Sequence, residues 1–440
     1  MELQEGISGH CDVFVIGGGP AGSSIAALLA QRGWDVVIAE KARHPRFHIG
    51  ESLLPLNMPL FEQLGVAEKI RAIAVFKYGA ELNSPHHEKP VTLNFDQAWD
   101  KNFPHAYQVR RSEFDQILFD NCVEHGALGL QQCRVSNVDF PDGTDAEISV
   151  VREDGSAQRW RTRFVVDASG RDTFLANKLG IKQRNRKHAS AALYGHFSGA
   201  HRLPGRAEGN ISLFWFEHGW FWFIPLRDGI TSVGAVCWPY YLKSRQTSPS
   251  EFLLDTIALC PPLHERLRNA QLTEPATATG NYSYSSEKML GDRYILLGDA
   301  FAFVDPVFSS GVYLAMHSAF LGAEVVEHSL QASEQAAMSR RKFERSVRHG
   351  LRSFSWFIYR MTSPAMRNLF MGPRNHLRMQ EALLSLLAGD LFRGTPIFRS
   401  LAFFKAVYFL TCAAAPFRSL SAWRRRRAMM HTASTNEGAA

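Results

Sequence analysis

Six cysteines (Cys11, Cys122, Cys133, Cys237, Cys260 and Cys412) are scattered over 440 residues, with no CxxC spacing among them. The sequence therefore suggests neither a zinc site nor a disulfide framework, and no metal is expected. Such thiols fit a reducing compartment. No basic-then-apolar stretch precedes the first strand-like run, which sets the expectation of a cytoplasmic protein. Long apolar runs are also missing. The last one, Leu401 to Ala415, is broken by Lys405 and falls short of the ~20 residues that span a bilayer. There is no internal repeat and no long linker, and the length fits roughly two to three domains. Finally, acid is scarce at the end of the chain. From Leu391 onward eight basic residues face one acid, Glu437, so the net charge of +7 resides there and the remainder is near neutral. That placement argues against a nucleic-acid binder and for a tail with its own partner.

What is present is organised around Asp12 to Glu40. Val13-Phe14-Val15-Ile16 reads as a buried parallel strand, Gly17, Gly19 and Gly22 mark a tight turn, and an apolar helix follows from Ser23 to Gln31. A second strand from Asp35 ends at Glu40, whose carboxylate can accept from a ribose hydroxyl. Glycines let the backbone approach a pyrophosphate, and the helix N-terminus offers it free N–H groups and a positive dipole end. The whole βαβ unit reads as a dinucleotide mould.

Further along, Glu51-Ser52 before Leu56, Leu60 and Leu64 predicts a helix start. Lys77, between Phe76 and Tyr78, reads by pattern alone as an exposed edge-strand lysine. A helix from about Ser112 would project Arg111 toward a phosphate or leave it on the surface. Trp220, Trp222 and Ile224 share one face of a strand within an aromatic-rich antiparallel sheet, from about Lys182 to Ala278. A strand from Tyr294 closes on Gly298-Asp299. Ser310-Gly311 opens an apolar helix from Val312 to Glu327, either as an anion site or as a simple serine cap. The basic residues around Phe343 to Ile358 suit a solvated face or an acidic carrier protein. Leu401 to Ala415, with Phe417, Trp423 and the arginines behind it, suits either an anionic membrane surface or the protein's own core.

Taken together, these stretches resemble the FAD-dependent halogenases of the tryptophan-halogenase superfamily. The resemblance runs from Asp12 to about Asp390, with the WxWxIP pattern of Trp220, Trp222, Ile224 and Pro225 and the lysine at position 77 as its specific marks. It implies a glutathione-reductase-like α/β fold: FAD-binding parts at 1–80, 109–181 and 279–330, a β-sheet substrate part at 81–108 and 182–278, a helical region at 331–433 and a disordered tail at 434–440. Gly17, Gly19, Pro20, Ala21, Gly22, Glu40, Lys41, Arg111, Asp299, Pro306 and Gly311 would then hold FAD. Ser310 and Gly311 would bind chloride or bromide. FADH2 from a separate flavin reductase would react with O2, the halide would be oxidised by the activated oxygen to hypohalous acid, and Lys77 would deliver it, its amine pKa lowered by Phe76 and Tyr78. Trp220 and Trp222 would bar substrate from the flavin. Tryptophan halogenases carry a glutamate where this chain has Phe308, so the implied substrate is an electron-rich phenol or pyrrole, tethered to a carrier protein, in secondary-metabolite or pigment biosynthesis. The alternative on the same fold is a flavin monooxygenase, oxidase or dehydrogenase without halide use.

Overall fold

The computed structural model describes residues 9–185, 187–280 and 283–431; the disordered tail expected over 434–440 lies outside them. Its first layer is a seven-stranded sheet built on the strand Gly9–Ile16, whose Val13, Phe14, Val15 and Ile16 are all buried. This strand runs parallel to Val36–Glu40 on one side and to Ala157–Asp167 on the other. Val36–Glu40 pairs in turn with Leu128–Gln131, and Tyr294–Leu296 lies parallel to the end of Ala157–Asp167. A near-continuous apolar run is what a strand needs when helices cover both faces of a parallel sheet. The helix Pro20–Gln31 lies against the helix Gly311–Leu330 and against Arg111–Glu124. It begins three residues before the expected Ser23, because Pro20 suits the first turn, where an N–H would have no partner.

The second layer is an eight-stranded sheet formed mainly by residues 191–279, joined by Gly79–Asn83 and Val91–Asn94. It is antiparallel as expected, except where Gly79–Asn83 runs parallel to Ile211–Phe216. Along the strand Gly219–Pro225, alternation separates two cores. Trp220, Trp222 and Ile224 belong to the main core, whereas Phe221 and Phe223 join Leu193, Phe197, Val233 and Leu253 in a second one behind the sheet.

The C-terminal region is helical, as expected. Ala336–Ile358 buries Phe343, Phe354, Phe357 and Ile358, and Phe398–Ala414 and Pro416–His431 close the chain. One helix expectation fails. Glu51 and Ser52 do not start a helix: helical structure begins at Pro55, and residues 45–54 form a loop in which Ser52 bridges to Gln108. Proline at position 55 restricts its predecessor to extended backbone, so Leu54 sits at φ −109°, ψ 153°.

Candidate active site

Strand ends and helix starts converge on one cavity of about 1140 Å³. Its first wall is the glycine turn. Gly17 has φ +100°, and a Cβ there would stand 2.5 Å from the Ala168 carbonyl oxygen; one on Gly22 would stand 1.9 Å from the Gly17 carbonyl oxygen. These two glycines permit close packing of turn, helix and neighbouring strand. Gly19 differs, since a Cβ there meets nothing nearer than the Arg46 guanidinium at 3.8 Å. Gly17, Gly19, Pro20 and Ala21 line the cavity, and no side chain caps the helix they open. An uncapped N-terminus beside glycine backbone is the right donor set for a diphosphate.

Glu40 is buried at the end of its strand. Its Oε2 accepts from the Gly18 N–H at 2.8 Å and from Arg46 at 3.2 Å, while Oε1 accepts from the Ala42 N–H at 3.0 Å. The carboxylate therefore braces the glycine turn and still borders the cavity. Arg46 also pairs with Asp115, to which Arg111 donates twice, at 2.7 and 2.9 Å. Burial alone would raise the Asp115 carboxyl, but the guanidiniums of Arg111 and Arg46 hold it below the ordinary carboxylate range. Arg111 gives its third donor to the Ile49 carbonyl at 2.8 Å, fastening the 45–54 loop over the cavity it lines. Lys41 lines the rim, paired with Asp172. Asp299 opens on the same space, its pKa pushed up to about 6 by burial, with Arg171 and Arg111 pulling it back.

A second uncapped helix start faces the cavity at Ser310, Gly311 and Val312. The turn before it is built by Asp305, which accepts from the Val307 N–H at 3.2 Å. Its Oδ2 lies 2.9 Å from both His188 Nε2 and Ser190 Oγ. Arg426 reaches the far side of the His188 ring, 3.3 Å from Nδ1. An arginine can only donate, so Nδ1 accepts and Nε2–H points at Asp305. Phe308 is buried and stacks at 6.4 Å on Phe370.

Trp220, Trp222 and Ile224 form the third wall. Trp222 donates from Nε1 to Ser232 Oγ at 3.1 Å, and its ring occupies the space a Cβ on Gly234 would need, 2.2 Å away.

Lys77 is not the exposed lysine that pattern alone suggested. It is 2 % exposed, and its Nζ donates to Ser52 Oγ and to the Leu53 carbonyl, each at 2.9 Å. Burial lowers the amine pKa to about 7. Phe76 and Tyr78 are not what surrounds it: strand alternation turns them to the other face, where they stack on each other and meet the His105 ring at a tilt. Phe95 lies over the amine instead, 5.4 Å from ring centroid to Nζ. Ser52 lines the cavity and Lys77 stands behind it.

Several residues of the site carried no functional signal in the sequence. Glu51 is buried beside the cavity, paired with His196 at 2.9 Å, and its other oxygen has no hydrogen-bond partner among the described residues. His188, Ser190, Tyr194 and His196 sit on or just before one sheet strand, with no motif to mark them.

Residues 10–339 match the family model of the FAD binding domain. The chain is 29 % identical to a 1H-pyrrole-2-carbonyl-[peptidyl-carrier protein] chlorinase of Pseudomonas fluorescens, over 87 % of this chain and 90 % of that protein. It is 33 % identical to the tryptophan 2-halogenase of Chondromyces crocatus, over 76 % of this chain and 64 % of that protein. Among solved structures, a myxobacterial chondrochloren halogenase superposes with TM-score 0.77 and 32 % identity, covering 92 % of this chain and 96 % of that one. A flavoprotein/dehydrogenase from Cytophaga hutchinsonii superposes with TM-score 0.84 and 26 % identity, covering 92 % and 99 %.

Proposed function

From the premise that the chain belongs to the flavin-dependent halogenases, an oxidoreductase family using FAD and a halide, we infer that Lys77 relays the halogen to a phenolic or pyrrolic ring, carried on a carrier protein. The observation that carries this reading is the burial of the Lys77 amine with its pKa near 7, one hydrogen bond behind the cavity wall at Ser52. When bound, reduced FAD would supply two electrons to O2, whose oxygen at the peroxide level then oxidises a halide to hypohalous acid while the other oxygen leaves as water.

The chain's own residues do the rest. Gly17, Gly19, Pro20 and Ala21 hold the diphosphate, with Glu40 bracing the turn. The N–H groups at the start of the helix Gly311–Leu330 hold the halide, and Ser310 adds a hydroxyl. Trp220 and Trp222 keep the ring to be halogenated off the flavin. An amine with pKa near 7 is partly unprotonated at neutral pH, and so can take up an electrophilic halogen or hold hypohalous acid by a hydrogen bond. Phe308, packed on Phe354 and Phe370, leaves no carboxylate at that position to assist the ring, so the ring itself must be electron-rich. Support for a tethered substrate comes from the Pseudomonas fluorescens relative, whose name specifies a carrier-bound pyrrole. We assign reduction of FAD to a separate flavin reductase.

The test supplies FAD, a reductase, NADH, O2 and bromide or chloride to the wild type and to Lys77→Ala. Phenols and carrier-bound pyrroles serve as acceptors, and a free amine scavenges hypohalous acid. The wild type is expected to add halogen to the ring. Lys77→Ala is expected to lose ring halogenation by about a hundredfold or more, while halide oxidation, seen by the scavenger, continues. Full ring halogenation by Lys77→Ala would overturn the relay. Halide-independent oxygen transfer by the wild type would return the protein to the monooxygenase reading.

A further inference from the structure

The outer face of the two C-terminal helices is apolar where a protein surface in water is ordinarily polar. The helix Phe398–Ala414 turns Leu401, Phe404 and Tyr408 into the core. Its opposite face is exposed, and beyond Arg399 at its start Ala402, Phe403, Ala406, Phe409, Leu410 and Ala413 stand there without a further charge. A helix that is apolar on both faces needs a cover on both. The helix Pro416–His431 extends this surface: Phe417 is 87 % exposed, and Leu420 and Trp423 are exposed beside it. Arg418, Arg424, Arg425 and Arg427 are exposed on the same helix, whereas Arg426 turns inward to His188 and the Lys187 carbonyl. No acid occurs from residue 391 to residue 431. No single helix among the described residues is long and apolar enough to cross a bilayer, and these two meet at 102°.

We propose that this face seats on the surface of an anionic bilayer, its aromatic and aliphatic side chains at the acyl boundary and its arginines among the lipid phosphates. Apolar side chains flanked by cations match the depth profile of a bilayer interface. A second copy of the chain is a poorer occupant, because a two-fold contact would set this acid-free basic surface against itself. An acidic protein would satisfy the arginines and leave Phe403, Phe409 and Leu410 against polar surface. The seat would also lie over Arg426, and through it His188 and Asp305, at the turn leading to Ser310. The inference is independent of the halogenation reading.

The experiment is co-sedimentation of the full-length, FAD-loaded protein with vesicles of phosphatidylcholine mixed with phosphatidylglycerol, and with vesicles of phosphatidylcholine alone. The expected result is binding to the anionic vesicles, with a partition coefficient lower by on the order of tenfold or more on the neutral ones. A comparable loss is expected for the double variant Phe409→Glu, Leu410→Glu and for Arg424→Glu, Arg425→Glu. These side chains are exposed, so unchanged flavin absorbance and melting temperature verify that the variants fold. Wild type that stays in the supernatant with anionic vesicles overturns the proposal. So does a lipid-free dimer dissociated by Phe409→Glu, which gives the face to a second copy. Unchanged vesicle binding by both double variants overturns it as well, because neither the apolar side chains nor the arginines would then make the contact.

Discussion

The Nζ of Lys77 lies 2.9 Å from the Oγ of Ser52, and Ser52 is the one of the two that lines the cavity. The hydroxyl thus accepts a hydrogen bond from an amine that burial has brought to a pKa of about 7. Accepting from the amine favours its protonated form, so Ser52→Ala is expected to lower that pKa further. If the unprotonated amine takes up halogen, ring halogenation rises with pH through about 7 in the wild type, and the midpoint moves to lower pH in Ser52→Ala. A pH–rate profile at saturating halide and substrate measures both. Activity that falls as pH rises through 7 would instead assign the relay to the ammonium as a hydrogen-bond donor.

The same shift makes a stability prediction. Unfolded, Lys77 keeps its proton up to about 10.5, whereas folded it gives it up near 7. Between these values the unfolded chain binds the extra proton, so the lysine's contribution becomes less unfavourable as pH rises, at up to about 1.4 kcal/mol per pH unit. Relative to Lys77→Met, the wild type should therefore gain stability from pH 7 upward in urea unfolding. Below pH 7 the difference is flat. A difference that does not vary with pH anywhere in this window would mean that the amine keeps its proton in the fold.

The glycine turn between its strand and helix was legible in the sequence because its physics is local: a strand, three glycines, a helix and an acid within thirty residues leave few alternatives. Lys77 was not legible by pattern. Its burial is decided by Phe95 and by the 45–54 loop, which arrives from another part of the chain, and a three-residue strand gives no sign of which face will be covered. Glu51 was misread for a similar reason. Its place before an apolar periodic stretch imitates a helix cap, but its partner is His196, 145 residues away. Ser310, open between cap and anion site, turns out to make no cap with its side chain.

The glycines should separate by role. Gly22→Ala places a Cβ 1.9 Å from the Gly17 carbonyl oxygen, backbone that cannot yield cheaply. We expect a destabilisation of about 1–3 kcal/mol, together with weaker FAD binding. Gly19→Ala meets no protein atom within 3.5 Å and should keep its melting temperature while losing FAD affinity, because its methyl enters the cavity. Thermal unfolding of the apoprotein and flavin fluorescence titration distinguish the two. Equal melting losses would refute the assignment of Gly19 to the ligand face.

Asp305 is expected to set halide affinity through the turn it builds. In Asp305→Asn the Oδ1 acceptor for the Val307 N–H is retained, but the atom replacing Oδ2 is itself a donor and meets the Nε2–H of His188 and the hydroxyl of Ser190. Losing hydrogen bonds to a buried carboxylate typically costs about 1.5–3 kcal/mol each, enough to move the turn. Because the helix start after this turn is where the halide would bind, the halide KM should rise by on the order of tenfold, with kcat at saturating halide changing little. Arg426→Met should act in the same direction but more weakly. It leaves Asp305 intact and, besides releasing the Lys187 carbonyl, frees the His188 ring to turn its Nε2–H away, from a helix remote in sequence. Steady-state kinetics against bromide for both variants gives the split. Equal falls in kcat and kcat/KM, with a lowered melting temperature, would reduce Asp305 and Arg426 to parts of the scaffold.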